Sequence, residues 1–431
     1  NLEIDFLSHA RMSKVSNYSI WDNYLIKYYG KRFVIKRYYY FNMIKSEIPV
    51  LKNIFIKKGP YWTSALIFRF LYLLLFPFYR NKKIWLFMDR RHQADDNAEH
   101  LYKYSIKQND GIKKYYTICE DSNDFNRLKN LDNIVPFYSI KQRLIYLFAD
   151  KIISSHPDEN ILNPFWGKNI KYYSGLINSG KIFLQHGVTK DDISMWLKKY
   201  DKNLELLVTV SEIERNSFYQ YKYNYNDGVV QVLGFPRFDG LENISDKKQI
   251  LIMPSWRENL SYTYKSQINK SEYFKKINSL INNEKLVELA KEYGYKIIFK
   301  PHPKVYEFID LFNKKEEVIF DESTRYQELF NNSSILITDY SSVAFDFSYN
   351  KKPIVYYQYG DDYNFKNRYF NYETMGFGEV TKDEDELIDI IEEYLKTDCN
   401  MKEIYNNRVD NFYMFNDKNN CKRVYEAIRK L

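Results

Sequence analysis

Four of the six histidines follow an apolar run closely: His92, His156, His186 and His302, whereas His9 and His100 do not. Imidazole titrates near neutral pH and suits proton transfer, so a histidine at the carboxyl end of a buried strand is a natural site candidate. His186 lies in Phe183-Leu-Gln-His-Gly187-Val-Thr189, where Gly187 lets the backbone turn sharply and another group approach closely. His302 lies in Lys300-Pro301-His302-Pro303. The two prolines stiffen its backbone, which fits either a preset ligand contact or simply a rigid turn. A third segment, Thr338-Asp339-Tyr340-Ser341-Ser342, runs from an apolar stretch into Val-Ala-Phe-Asp346. Such side chains cap helices, and a helix start with outward N–H groups and two hydroxyls suits an anion, phosphate above all. Ordinary capping competes with that reading, most strongly at Asp339. Gly234-Phe-Pro-Arg237-Phe-Asp239 and Met253-Pro-Ser-Trp256-Arg257 each supply an arginine, and guanidinium groups grip phosphate with two parallel hydrogen bonds.

These residues need elements to place them. Continuous apolar runs predict strands at Ile84–Met88, Tyr115–Cys119, Ile134–Tyr138, Lys151–Ser154, Lys181–Leu184, Leu206–Val210 and Val229–Leu233. A second series follows at Gln249–Met253, Lys296–Phe299, Val318–Phe320, Ile335–Ile337 and Pro353–Tyr357. Runs apolar at every position, not at alternate ones, mark strands covered on both faces, as in parallel sheets. Helix-length segments such as Ala94–Gln108, Lys285–Tyr293 and Glu384–Leu395 lie between them, and the alternation predicts an α/β protein. The polar stretch 240–248 separates the two series. The expected organisation is a basic N-terminal region, 1–83, and two Rossmann-like domains, 84–245 and 246–431. The helical segment Met401–Leu431 is expected to pack back across the junction. Ligands of open parallel sheets bind at the carboxyl ends of the strands, so the site is expected in the cleft between the two sheets.

The chain has 431 residues and a net charge of +8, with 45% hydrophobic residues, which excludes a disordered chain. Cys119, Cys399 and Cys421 are scattered and odd in number, which excludes a disulfide framework and any CxxC metal site. No clustered metal ligands stand out. Asp383-Glu384-Asp385 has acidic spacing but opens a helix, where acidic residues serve the helix N-terminus. The chain starts at Asn1 and not Met, which is expected of a trimmed chain or of a segment of a longer protein, and no signal peptide is visible. Residues 24–83 hold 13 basic residues and a single acid, Glu47. The apolar run Ala65–Phe78 within them is interrupted by Arg69 and Pro77, and is expected to lie on an anionic membrane surface instead of spanning it. A core helix with solvated lysines is the plainer alternative. Nothing resembles a nucleic-acid-binding motif.

In this order, His-Gly, Gly-x-Pro-Arg-x-Asp, Trp-Arg after a strand, Pro-His-Pro and Thr-Asp-Tyr-Ser-Ser resemble the CDP-glycerol glycerophosphotransferase family, the bacterial teichoic-acid and capsule polymerases and primases. The resemblance covers roughly residues 84–395. It implies a GT-B-like fold, a CDP-glycerol or CDP-alditol donor held by the C-terminal domain, a polymer or lipid-linked acceptor, and peripheral attachment to the inner face of the membrane. No cofactor is implied. On this reading His186 is the general base and His302 a second catalytic residue. Arg257, Lys300, His302, Thr338, Asp339, Ser341 and Ser342 hold the donor. Gly187, Gly234, Arg237, Asp239, His92 and Asp96 join them as cleft residues. Where the family carries an aromatic before His-Gly, this chain has Gln185, and the match around Asp95-Asp96-Asn97 is partial. The alternatives are a GT-B glycosyltransferase using a nucleotide sugar, or a non-catalytic membrane-surface module.

Overall fold

The computed structural model describes residues 18–21, 24–29, 32–225, 228–244, 247–257, 260, 265–323, 325–360 and 368–431; His9 lies outside them. The N-terminal region begins with three strands, β1 (Tyr18–Trp21), β2 (Tyr24–Tyr29) and β3 (Arg32–Arg37), paired antiparallel in that order. This corrects the purely helical expectation for the region. Aromatic and β-branched residues mixed with basic ones form half-buried strands, and the charge pattern masked that signal. Two helices follow, α1 (Tyr40–Lys57) and α2 (Trp62–Tyr79).

The interrupted apolar run is therefore one continuous helix. Over 18 residues its mean hydropathy is 1.4, enough by length and composition to cross a membrane, although the sequence predicted a stretch too broken for that. Arg69 does not interrupt it in solvent but lies fully buried. It pairs with Glu47 of α1 and donates to Tyr172 O and Ser174 O, both at 2.7 Å. A buried guanidinium is tolerable only when paired and fully hydrogen-bonded, so these contacts tie α2 to the body of the protein.

The first parallel sheet comprises β4 (Ile84–Met88), β5 (Lys113–Ile118), β6 (Ile134–Pro136), β7 (Lys151–Ser154), β8 (Gly180–Phe183), β9 (Leu204–Thr209) and β10 (Val230–Val232). Their order is β10-β9-β8-β7-β4-β5-β6. The second comprises β11 (Gln249–Ile252), β12 (Lys296–Phe299), β13 (Val318–Phe320), β14 (Ile335–Thr338), β15 (Ile354–Tyr357) and β16 (Gly378–Thr381). Its order is β13-β12-β11-β14-β15-β16. Every pairing within both sheets is parallel. β4, β7, β8, β14 and β15 are buried at every position, as strands covered on both faces must be.

Each sheet has one point where the order of strands reverses: between β4 and β7 in the first, and between β11 and β14 in the second. Crevices open at such points, beyond the carboxyl ends of the strands. The last helix, α5 (Asn420–Lys430), packs on the first domain, with Tyr425 edge-on to Trp85 and Tyr104. Asp239 accepts from the backbone N–H groups of Asn420 and Cys421 and so fixes its start.

Candidate active site

The two crevices face each other across a cleft of about 840 Å³. Its first-domain wall starts from Asp89, just after β4. This buried carboxylate accepts from Ala98 N at 2.9 Å, Glu99 N at 3.0 Å and the hydroxyls of Ser155 and Tyr116. Those bonds fix the start of α3 (Asn97–Ser105), whose cap is Asp96. Asp96 Oδ2 lies 2.5 Å from His186 Nδ1, and Oδ1 accepts from Arg237 at 2.7 Å. Burial alone would raise the Asp96 carboxyl, but His186 and Arg237 beside it hold it well below the usual carboxylate range. An ionised carboxylate at Nδ1 sets that nitrogen as a donor and leaves Nε2 facing the cleft as an acceptor.

The loop that carries His186 is held from behind. Gln185 adopts a left-handed φ of 61°, uncommon for a residue with a side chain. Its buried amide donates to Val208 O at 2.7 Å and to Glu214 Oε1 at 2.9 Å. Glu214 also accepts from Thr189 N and Val210 N, each at 2.8 Å. Burial pushes the Glu214 carboxyl up to about 7. Gly187 meets the opposite wall, where an added Cβ would lie 2.6 Å from Ser342 Oγ.

On the second-domain wall, His302, Ser341 and Ser342 line the cleft with Trp256 and Lys304. His302 Nδ1 accepts from Lys304 N at 3.2 Å, and its ring lies nearly parallel to Trp256 at 6.3 Å. Burial, then the charges of Lys304 and Arg90, push the imidazole down to about 4. The helix after Ser342, α4 (Val343–Tyr349), has only seven residues. A phosphate contact here rests on the two hydroxyls more than on an extended helix dipole.

Several predicted site residues do not reach the cleft. Arg257 is buried beneath it, paired with Asp339 Oδ2 at 2.7 Å and ringed by Tyr273, Tyr340 and Tyr359. Asp339 also accepts from Ser255 N at 2.8 Å, pinning the loops after β11 and β14 together. Thr338 donates to Met253 O at 2.7 Å within the same joint. Lys300 turns away to the Asp321 carboxylate at 3.1 Å and to nearby backbone carbonyls. Gly234 has a left-handed φ of 79° and packs against Asn420, while Asp239 caps α5. His92 points outward to Asp121 at 3.2 Å. In each case a strand-end residue is spent on joining loops, which a linear sequence does not distinguish from facing a ligand.

One cleft residue, Arg90, escaped the sequence reading, and His156 was singled out there only as a strand-end histidine without an assigned role. Arg90 lies between the histidines, donating from Nε to His156 Nε2 at 2.8 Å and lying 3.0 Å from His186 Nε2 through Nη2. His156 stacks on His186 with ring centroids 5.1 Å apart. Burial first, and then the neighbouring His186 and the Arg90 guanidinium, push His156 down to about 3. Asp96, His156 and His186 come close enough together to hold a metal ion, as do His92, Cys119 and Asp121 outside the cleft. In the first group, Arg90 and Arg237 compete with a cation for the same lone pairs, so the chemistry of that pocket favours an anion.

Residues 67–430 match the family model for CDP-Glycerol:Poly(glycerophosphate) glycerophosphotransferase. The chain belongs to this glycerophosphotransferase family. It is 41% identical, over its whole length, to the minor teichoic acid biosynthesis protein GgaB of Bacillus subtilis, covering 49% of that protein. It is 32% identical over 50% of its length to a teichoic acid poly(glycerol phosphate) polymerase of Bacillus spizizenii, covering 51% of it. The chain thus spans about half the length of these curated relatives. Among solved structures, the wall teichoic acid polymerase TagF superposes with a TM-score of 0.64 at 18% identity, covering 91% of this chain and 98% of that one. This likeness shows a shared fold, two facing Rossmann-like domains of the GT-B type.

Proposed function

We propose that this glycerophosphotransferase moves glycerol phosphate, or a related alditol phosphate, from CDP-glycerol to an acceptor hydroxyl on a teichoic-acid-like or capsular polymer. The acceptor oxygen bonds to the phosphorus next to the glycerol, the bond from that phosphorus to the bridging oxygen breaks, and CMP leaves. The observation that carries this reading is the Asp96–His186 pair facing His302, Ser341 and Ser342 across one cleft. His186 Nε2 takes the acceptor proton while Asp96 steadies the imidazolium. The hydroxyls and His302 hold the diphosphate of the donor. Phosphoryl transfer of this kind depends on positioning and charge more than on covalent chemistry. Peripheral attachment to the inner face of an anionic membrane belongs to the same reading. It is supported by the exposed apolar side chains of α1 and α2, among them Phe41, Phe55, Phe70 and Phe78.

A crossed pair of variants tests the assignment. His186→Ala should cut turnover by about 10²–10⁴-fold and leave CDP-glycerol affinity, measured by calorimetry, nearly intact. Ser341→Ala with Ser342→Ala should instead weaken donor binding, by about 1.5–3 kcal/mol for each hydrogen bond lost to charge. Near-normal turnover in a well-folded His186→Ala protein, or unchanged donor affinity in the double variant, would remove the corresponding residue from its role.

A further inference from the structure

Arg90 is set apart by its partners from four other cations in and beneath the cleft. Arg237, Arg257, Lys190 and Lys300 are each paired with a carboxylate. Arg90 instead donates to the lone pairs of two imidazoles and, at 3.3 Å, to the amide oxygen of Gln93. Among the described residues no carboxylate pairs with it. It stands at the reversal point of the first sheet, beside His156 from the end of β7, where the fold itself opens a ligand crevice. Its charge reaches across the cleft, since it is one of the groups that disfavour protonation of His302.

The position of its Nη2 has a chemical consequence. Guanidinium is a donor only, so His186 Nε2 accepts from it at 3.0 Å. With Asp96 at Nδ1, that lone pair is the one site on the ring able to take a proton. In the ligand-free protein it is already occupied. A neutral imidazole is a weaker partner for guanidinium than a phosphate, which accepts two charge-assisted hydrogen bonds from the same fork.

We propose that Arg90 caps the base and is drawn off it by a phosphate group of the substrate, so that His186 Nε2 is uncovered only when an anion occupies the cleft. This rests on the phosphotransfer reading above and adds to it a residue that both binds substrate and gates the base. The phosphate could be supplied by the donor diphosphate or by the phosphodiester of the acceptor chain; the recognising chemistry is the same, and binding distinguishes the two.

The test uses Arg90→Gln and Arg90→Lys in the whole chain, with two readouts that require no turnover. The first is the rate at which diethyl pyrocarbonate, which attacks an imidazole lone pair, modifies His186 in ligand-free protein, followed by peptide mass spectrometry. It should rise several-fold in Arg90→Gln, with His92, which lies outside the cleft beside Asp121, as the internal reference. The second is affinity. Loss of hydrogen bonds to a charged group should weaken binding by about 10- to 100-fold, for CDP-glycerol if the donor supplies the phosphate, or for a glycerol-phosphate oligomer if the acceptor does. Arg90→Lys should fall between, keeping the charge but not the fork. Unchanged His186 reactivity overturns the capping, and unchanged affinity for both ligands overturns the release by phosphate; either result sinks the proposal. Wild-type protein that bound neither ligand would sink the functional reading instead, while the modification rates would still decide the capping.

Discussion

His156 and His302 share the cleft with His186, and their surroundings disfavour the charged ring, burial first in both cases. The unfolded chain takes up protons near the ordinary value of 6.5, whereas the folded one resists until about 4 at His302 and about 3 at His156. Protons therefore favour the unfolded state across that window. The stability these residues contribute is complete above about 6.5 and drains away as pH falls towards the folded values. Between pH 7 and pH 5 these two residues should therefore lower the melting temperature, against the opposite trend from the raised Glu214 carboxyl, so His156→Gln, which keeps an acceptor for Arg90, should lose less on acidification than the wild type. Parallel slopes in the two proteins would show that His156 is not held neutral. Spacing made His186 and His302 visible as site residues, because each ends a strand in an unusual local sequence. It could not sort Asp89-Arg90-Arg91-His92. An irregular loop has no period, so nothing in it says that Arg90 turns inward, that Arg91 goes to Ile161 O, or that His92 goes out to Asp121.

At the level of elements, the buried strands were the most legible part. Ile84–Met88, Lys151–Ser154, Lys296–Phe299 and Val318–Phe320 lie where continuous apolar runs place them. β16 was missed because Gly-Glu-Val-Thr carries no such run, and its pairing with β15 makes it a strand. The paired helices α1 and α2 show the opposite problem. Their sequence displays Arg69 as a break in an apolar stretch, and only the fold reveals Glu47 waiting for it. The outer faces of both helices remain apolar, with lysines alongside: Lys45 lies 4.6 Å over the ring of Phe41, and Lys58 lies 5.3 Å over Phe55. Such a surface should bind vesicles containing anionic lipid, with each basic residue near the surface contributing about 1 kcal/mol, screened by salt. Co-sedimentation should weaken with added salt and with Phe70→Ser plus Phe78→Ser. Equal binding to neutral vesicles would contradict the electrostatic part, and no binding at all would leave the face without this role.

The whole molecule is joined through Arg237. Its guanidinium pairs with Asp96, the partner of His186, and with Asp346 in α4 of the second domain, where Nη2 lies 2.9 Å from Oδ2. The sequence placed this arginine near the cleft as a phosphate ligand; the structure uses it as a tie between the two walls. Removing it strands two buried carboxylates, so Arg237→Met should cost about 3–5 kcal/mol in urea unfolding. A loss below about 1 kcal/mol would mean that the walls are held by other contacts, such as α5 against the first domain. Phosphotransfer itself is tested most directly by the bond the chain makes. Purified protein would be given CDP-glycerol, CDP-ribitol and a set of UDP-sugars with a glycerol-phosphate oligomer as acceptor. Released nucleotide and product would then be read by chromatography and phosphorus NMR. The expected result is CMP with a new phosphodiester from a CDP-alditol; a nucleoside diphosphate with a glycosidic product, or no nucleotide released from any donor, would contradict it.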